Sequence, residues 1–355
     1  VHTAPTFGAD DFRVAQQNGV PAIMVLDENE KEVPLVNKKG QFVKEVSDFA
    51  LEYVKEAYYS AEELEVERVK QGRDKYLSVD ERISIKLKTE NRAFNVQKFD
   101  HPYPHCWRTD KPVLYYPLDS WFIRTTAMKD RLVELNKTIN WKPESTGTGR
   151  FGNWLENLVD WNLSRSRYWG TPLPIWRNED NEEVCIGSVE ELVNGIKAAL
   201  DSDVLTEEQK QKNQVYLDLL AEGKEDLHRP YVDEIFLVSE SGKVLFRESD
   251  LIDVWFDSGA MPYAQWHYPF ENQDIFNKSF PADFISEGVD QTRGWFFTLH
   301  AIAGMLFDSV AFKNVVSTGL VLDKNGNKMS KRLGNGIDPF ETLKTYGADP
   351  TRWYM

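Results

Sequence analysis

Apolar and polar residues follow one another in the last third of the chain in an order that predicts a strand, a helix and a second strand. Residues 283–286 form a short strand candidate, residues 290–307 carry apolar side chains at helical spacing, and residues 315–316 form another strand candidate. Strand, helix and strand in this order predict parallel neighbours in an α/β sheet. Because ligands bind at the carboxyl ends of such strands, functional residues are expected just after Ser286 and just after Ser317.

The rest of the chain is less regular. Residues 1–96 mix short β-rich runs with a charged, strongly helical stretch at 48–71, and a Pro- and aromatic-rich segment at 101–107 reads as a linker. Residues 188–224, rich in Glu, Lys and Gln, predict helices of a solvated insertion, and 232–238 is a further strand candidate. No apolar run approaches the roughly 18 residues that a membrane-spanning helix needs, so no membrane contact is expected.

The charge of the chain is unevenly distributed. Its net charge is −15, but residues 178–253 hold 20 acidic and 7 basic side chains, whereas 311–355 hold 7 basic and 4 acidic ones. A polyanion such as RNA could therefore approach the basic segment while the acidic one points elsewhere. Only two cysteines, Cys106 and Cys185, are present, which favours a reducing compartment and a cytoplasmic location.

The most informative string is Lys328-Met329-Ser330-Lys331. Two lysines three residues apart, on a loop bracketed by glycine-containing turns, suit a polyphosphate because each is a compact charge that can follow a leaving group. The alternative reading of two lysines alone is an exposed basic turn.

Two aromatic strings, 253–262 and 287–296, could line an amino-acid site. If a helix begins near Asp290, Gln291 and Trp295 lie four residues apart on one face. An amide and a carboxylate beside an indole could hold an α-ammonium group next to an aliphatic side chain. Simple core packing of Trp295 is the alternative.

Together with residues 161–176, these strings resemble the isoleucyl-tRNA synthetase family of class I aminoacyl-tRNA synthetases. The resemblance implies an α/β fold: the second half of a Rossmann-like nucleotide-binding domain with a parallel sheet, the C-terminal part of a mostly β editing domain, and a helical insertion. It implies the end of the editing domain at 1–96, a connective segment at 97–180, the acidic insertion at 181–230, the catalytic half-domain at 231–340, and the start of a helical tRNA-binding region at 341–355.

The resemblance also assigns roles. Trp255 and Trp295 would flank the isoleucine side chain, and Glu287 and Gln291 would hold its polar end. Lys328 and Lys331 would be catalytic, because they stabilise the departing pyrophosphate. ATP would be bound by the loop and the residues before it: Gly319, Leu320, Val321, Lys328, Met329, Ser330 and Lys331.

The start of the chain, residues 2–11, resembles the end of the family's editing pocket, where Asp11 would anchor the α-ammonium group of a mischarged amino acid and His2 would line the pocket. Taken alone, Asp10 and Asp11 more often indicate the N-cap of a helix starting at Phe12. No structural zinc is expected, because Cys106 is followed by Thr109 where relatives can carry a second cysteine.

The function implied is activation of isoleucine with ATP and Mg²⁺, transfer to tRNA(Ile), and hydrolytic editing of valyl-tRNA. The alternatives are an editing (deacylase) module, a valyl-type class I synthetase, or a catalytically inert domain. The family's other ATP signature is expected before Val1 and its anticodon-binding domain after Met355, so this chain alone is expected to be inactive.

Overall fold

The computed structural model describes residues 4–27, 30–106, 108–330 and 334–354. The chain divides into two compact units, Val1–Asp119 and Ser120–Met355. The division falls inside the segment 97–180 that was predicted to be connective.

In the first unit, helices contribute more regular structure than strands. The predicted helix at 48–71 is present only from Ala61 onward, after two 3₁₀ turns at Ser47–Phe49 and Glu56–Tyr58. Leu51 has a φ of 64°, in the left-handed region, and this interrupts any helix through it. Two antiparallel strands, β1 (Met24–Leu26) and β2 (Glu32–Pro34), form a two-stranded sheet. The elements are α1 (Ala9–Asn18), β1 (Met24–Leu26), β2 (Glu32–Pro34), α2 (Ala61–Lys70) and α3 (Val79–Thr89).

The second unit begins with short elements, and its longest described strands, β12 (Ala282–Gly288) and β13 (Phe312–Thr318), come near its end. Its first elements are β3 (Phe122–Ile123), α4 (Lys129–Asn136), β4 (Asn140–Lys142), a π-helix (Thr146–Phe151), α5 (Gly152–Glu156), β5 (Trp161–Asn162), β6 (Ser164–Arg165), β7 (Ile175–Arg177), β8 (Glu183–Cys185), α6 (Val189–Leu200) and α7 (Glu207–Ala221). They are followed by β9 (Phe236–Val238), β10 (Val244–Arg247), β11 (Leu251–Ile252), α8 (Val254–Gly259), α9 (Met261–Ala264), α10 (Gln273–Ser279), β12 (Ala282–Gly288), a 3₁₀ turn (Val289–Arg293), α11 (Trp295–Phe307), β13 (Phe312–Thr318), α12 (Pro339–Tyr346) and α13 (Ala348–Tyr354).

A three-stranded parallel sheet, in the order β12-β13-β4, confirms the predicted α/β fold class. The crossover between β12 and β13 is α11, as the strand–helix–strand pattern predicted. Register pairs Glu287 with Ser317 and Gly288 with Thr318, so both strands end at the same edge.

Helix α11 is apolar on nearly all sides and is therefore buried. Phe296, Ala301 and Ala303 on this helix are 0% exposed and pack into a core with Leu132 of α4 and Phe312 of β13. Gly304 allows α4 to approach closely, because a Cβ atom at this position would lie 2.5 Å from Leu132 Cδ2. This core packing fixes the position of α11, which follows the 3₁₀ turn Val289–Arg293.

The acidic part of the chain folds into a lobe with its own core. Strands in the order β8-β7-β10-β9 form an antiparallel sheet, and α6 and α7 pack against it. Asn213 of α7 is 0% exposed and is hydrogen-bonded to β9. Its side-chain amide donates to the Phe236 carbonyl (2.8 Å) and accepts from the Phe236 N–H (2.9 Å). The predicted helices are confirmed, but they cover a sheet. The strand predicted at 232–238 begins only at Phe236, because Tyr231–Glu234 form a 3₁₀ turn.

None of the helices in the described part of the chain combines the length and the apolar character needed to cross a membrane.

Candidate active site

The carboxyl edge of the parallel sheet is where the predicted site residues follow their strands. Glu287 is the penultimate residue of strand β12 and is exposed, and the 3₁₀ turn that carries Gln291 follows directly. Gly319, Leu320 and Val321 follow β13 at the same edge, and Leu320 and Val321 are exposed. The two strands therefore end at one edge, as the strand–helix–strand pattern predicted, and the roles of the residues that follow them stay predictions.

Three of the four predicted amino-acid-binding residues come together around Gly294. A Cβ atom added to Gly294 would lie 3.1 Å from Gln291 Oε1 and 3.2 Å from Trp255 Cη2. The Trp295 backbone N–H donates to Gln291 Oε1 (3.3 Å). Trp255 keeps 40% of its surface exposed, so its ring is available to a ligand.

Trp295 has a structural role as well. Its indole Nε1–H donates to the Ser258 carbonyl (2.9 Å), and its ring packs at the margin of the core. These contacts tie the start of α11 to α8, the helix that carries Trp255. The two tryptophans are therefore held in one rigid arrangement.

The expected helix beginning near Asp290 is wrong. Residues 289–293 form a 3₁₀ turn, and α11 starts only at Trp295. Gly294 between them has a non-helical backbone conformation (φ −133°, ψ −113°). Gln291 and Trp295 consequently meet through a hydrogen bond and not as neighbours on one helical face.

Asp253 holds α8 in place, a role that the sequence did not reveal. Its side chain is 7% exposed, accepts from Trp161 Nε1–H (3.0 Å), and pairs with Arg165 at 2.8 Å. Its other oxygen accepts from the Trp255 N–H (3.4 Å) and so caps the helix. Close packing of Gly259 against Thr298, where a Cβ atom would lie 2.8 Å from Thr298 Cβ, then presses α8 onto α11.

We expect Asp253→Asn to lower the free energy of unfolding by about 1–2 kcal/mol, because Asn preserves the cap but removes the charge that Arg165 faces. The estimate is at the lower end for a buried carboxylate because Arg165 is 37% exposed and solvent screens it. Urea unfolding of the chain measures the change. Asp308→Asn breaks the exposed Arg131–Asp308 pair and is the matched control, with an expected cost below about 1 kcal/mol. Equal losses in both variants would contradict the role of Asp253.

A cavity of about 540 Å³ lies beside Trp255. Arg165, Trp169 and Asp257 form other parts of its wall. Within the described ranges, Trp255 is the one predicted amino-acid-binding residue that lines it.

The loop after β13 that contains the string 328–331, here called the lysine loop, is held by hydrogen bonds of Asp323 and Asn335. Asp323 Oδ1 accepts from the N–H groups of Asn325 (2.9 Å) and Asn327 (2.8 Å), and its Oδ2 accepts from Asn335 Nδ2 (2.9 Å). Hydrogen bonding, above all from Asn335, lowers the pKa of the Asp323 carboxyl group. Asn335 Oδ1 in turn accepts from the Ser330 N–H (2.9 Å), so Asn335 joins Asp323 to the backbone at Ser330. Lys331 lies outside the described residues.

The predicted editing residues lie in the first unit. His2 is outside the described residues, and Asp11 is half-buried with its Oδ2 accepting from the Ala4 N–H (3.0 Å). The prediction that Asp10 and Asp11 cap a helix starting at Phe12 is wrong, because α1 begins at Ala9 and its N-cap is Gly8. Both acids lie in the first turn of α1, where their negative charges interact favourably with the positive end of the helix dipole. A cavity of about 560 Å³ is lined by Thr6, Gly8 and Tyr116, among others.

In the described ranges, no group of three or more His, Cys, Asp or Glu side chains is placed to hold a metal ion. The Cys106 thiol accepts hydrogen bonds, chiefly from Thr109, and these lower its pKa to about 7. The absence of a structural zinc stays a prediction.

Comparison with known families identifies the family of this chain. Residues 26–355 match the family of class I tRNA synthetases for isoleucine, leucine, methionine and valine (I, L, M and V). The chain belongs to this family.

Three relatives of high sequence identity are isoleucine–tRNA ligases. The isoleucine–tRNA ligase of Cytophaga hutchinsonii is 72% identical over all of this chain and 31% of its own length. The isoleucine–tRNA ligases of Bacteroides fragilis and Clostridium novyi are 60% and 44% identical, again over all of this chain, and over 32% and 29% of their own lengths. The chain thus spans about a third of the length of these relatives.

Proposed function

We propose that this chain forms part of an ATP-dependent isoleucine–tRNA ligase. In its reaction the carboxylate of isoleucine would attack the α-phosphate of ATP, supplied as its Mg²⁺ complex, to give isoleucyl-adenylate and release pyrophosphate. Transfer of isoleucine to tRNA(Ile) would then release AMP. The observation that carries the proposal is the convergence of Trp255, Gln291 and Trp295 around Gly294, at the sheet edge from which the lysine loop departs.

The chemistry of this convergence suits an aliphatic amino acid. Two indoles held by α8 and α11 would provide an apolar wall, and the amide of Gln291 with the carboxylate of Glu287 would accept hydrogen bonds from an α-ammonium group. The three relatives described above, which are 44–72% identical, are named for isoleucine, and this favours isoleucine over valine as the substrate.

ATP would bind next to this site. The exposed backbone of Gly319, Leu320 and Val321 offers hydrogen-bonding groups to the adenine, and Lys328, Met329, Ser330 and Lys331 would surround the phosphates. Activation by this route needs no covalent bond between the protein and the substrate. Lys328 and Lys331 would act by offsetting the negative charge that develops on the departing pyrophosphate.

Editing belongs to the same proposal. Isoleucine and valine differ by one methylene, which a binding pocket alone discriminates poorly, a limit for which isoleucyl-tRNA synthetase is itself the standard example. Asp11 in the first unit, together with His2, would then bind the α-ammonium group of a mischarged amino acid. Asp11 already uses one oxygen to accept from the Ala4 N–H, and its other oxygen could accept from the ligand.

The assignment is tested in a chimera in which this chain replaces the segment that it matches in the Cytophaga hutchinsonii enzyme. Trp255→Ala should raise the KM for isoleucine about tenfold, because it removes an exposed apolar wall worth on the order of 1.4 kcal/mol. The KM for ATP should change by less than about twofold, since the nucleotide would not touch this ring. Isoleucine-dependent ATP–pyrophosphate exchange gives both constants.

Trp353→Ala is the matched control, because Trp353 on α13 is 93% exposed and lies outside the proposed site. Trp255→Phe should retain most of the affinity for isoleucine. If Trp255→Ala raises both KM values equally, Trp255 does not belong to an amino-acid site.

A further inference from the structure

We propose that the segment 146–156 clamps the 3₁₀ turn Val289–Arg293, and that Arg150 and Thr292 are thereby positioning residues for the amino-acid site. The inference rests on the proposed function only in its second part, the effect on isoleucine. The clamp itself is a statement about the chain alone.

The first contact of the clamp is made to Thr292. Its side chain is 0% exposed, and its Oγ1 accepts from Arg150 Nε–H at 2.8 Å. The same hydroxyl donates to the Val289 carbonyl (2.9 Å), which closes the turn. One hydroxyl can donate once and accept twice, so a single buried atom joins Arg150 to both ends of the turn.

The second contact is made to the next residue, Arg293. Its guanidinium lies 5.1 Å from the ring centroid of Trp154, within the range of a cation–π interaction. Trp154 in turn packs edge-on against Phe297 of α11, with ring centroids 6.0 Å apart. Two consecutive residues of the turn are therefore attached to the same neighbouring segment.

The clamp segment is well anchored. Asn136 Nδ2 donates to the Gly147 carbonyl (3.0 Å), and Asn136 Oδ1 accepts from Trp141 Nε1–H (2.8 Å). The Trp141 ring lies so close to the backbone that a Cβ atom on Gly147 would fall 2.2 Å from its Cδ1. Residues Thr146–Phe151 form a π-helix, a rare conformation that is frequent at functional sites and that changes the direction in which following side chains project.

The turn needs such support because of its own geometry. Hydrogen bonds in a 3₁₀ turn are poorer than those of an α-helix, and α11 begins only at Trp295. Gln291, which lies next to Thr292, reaches the Trp295 N–H with a bond of 3.3 Å. Loss of the clamp should therefore let Gln291 move relative to the two tryptophans without unfolding the core.

Amide hydrogen exchange on this chain tests the clamp without any reference to activity. In Arg150→Met and in Thr292→Val, amides of residues 289–295 should exchange about tenfold faster, whereas those of β12 and of the middle of α11 should not change. The double variant should exchange no faster than Thr292→Val alone, because that change already removes both the bond from Arg150 and the bond to the Val289 carbonyl. Arg131→Met, which breaks a surface pair at Asp308, is the matched control and should leave residues 289–295 unchanged.

Kinetics of the chimera test the consequence for the amino-acid site. Arg150→Met and Thr292→Val should raise the KM for isoleucine several-fold with little change in the KM for ATP, and Thr292→Ser, which keeps the hydroxyl, should restore it. Unchanged exchange at 289–295, or acceleration spread evenly over the chain, would overturn the clamp. Local acceleration with an unaltered isoleucine KM would overturn the positioning role. If Trp255→Ala also left that KM unchanged, the fault would lie with the proposed site and not with the clamp.

Discussion

Lys328→Ala in the chimera should lower the kcat of isoleucyl-adenylate formation by about 10²–10³-fold, while the KM for ATP changes little. The reason is that the contact would form mainly as negative charge shifts onto the leaving pyrophosphate, so it stabilises the transition state more than bound ATP. Single-turnover formation of isoleucyl-adenylate measures the rate. Transfer of isoleucine from preformed adenylate to tRNA should be nearly unaffected, because pyrophosphate has then already left.

The structure supports this expectation through the state of the Lys328 side chain. Its backbone carbonyl accepts from Asn335 Nδ2 (3.3 Å), but among the residues that the structure describes its ammonium group has no carboxylate partner. Lys328 is exposed, and within the described ranges its ammonium group need not break an ion pair to reach a phosphate. Lys331→Ala is expected to behave in the same way, by the resemblance of the loop.

Lys324→Ala is the matched control. Lys324 lies on the same loop, carries the same charge, and likewise has no ion pair within the described ranges, but it belongs to the turn before the lysine motif. A general electrostatic attraction for ATP would make the two alanine variants equally slow. A rise in the KM for ATP with kcat unchanged would make Lys328 an anchor of the ground state.

The parallel edge of the site could be predicted from the sequence because its determinants are local. A strand, a helix and a strand in succession leave few ways to pair, and the rule for the carboxyl ends then places Glu287 and Gly319 together. The lysine loop is equally local, since its turn residues and its motif occupy adjacent positions. No knowledge of distant contacts was needed for either.

The supports of the site could not be predicted, because they join residues far apart in the chain. Asp253 meets Trp161 across 92 positions, and Arg150 meets Thr292 across 142. Nothing in the local pattern distinguishes these residues from ordinary caps and surface cations. The break at Gly294 was missed for a similar reason: apolar spacing continues through the 3₁₀ turn, and only the packing of Trp255 against Gly294 shows why the helix starts later.

The acidic lobe shows how composition can mislead. Its helices carry many charges, but Leu192, Ile196 and Ala199 recur on one face of α6 and are all at most 3% exposed. That face covers the antiparallel sheet, whereas the acidic side chains of α6, Glu190 and Glu191, are exposed. Net charge therefore described the surface of the lobe and gave no information on its core.

His300 should make the stability of the second unit fall as the solution becomes acidic. The imidazole is 0% exposed on α11, and its Nε2–H donates to the Leu132 carbonyl at 2.8 Å. Burial lowers the pKa of His300 to about 4, below its usual value near 6.5, although the bond to Leu132 acts in the opposite direction. A protonated ring would place a charge in the core with a buried Nδ1 that has no hydrogen-bond partner.

The sign of the effect follows from the two pKa values. Between pH 6.5 and about pH 4 the unfolded chain binds a proton at this position and the folded chain does not, so the free energy of unfolding decreases as the pH falls. The loss is about 1.4 kcal/mol per pH unit, on the order of 2 kcal/mol at pH 5 and 3 kcal/mol at pH 4.

The variant His300→Gln tests this expectation, because Gln keeps a donor that can face Leu132 but does not titrate. Urea unfolding at pH 7 and pH 5 should therefore show wild type losing about 2 kcal/mol more than His300→Gln over this interval, while the carboxylates common to both proteins cancel. Parallel pH profiles for the two proteins would mean that His300 is protonated in the folded state as readily as in the unfolded one. A divergence of the expected size would identify the junction of α4 and α11, which supports the tryptophan site, as the acid-sensitive part of the core.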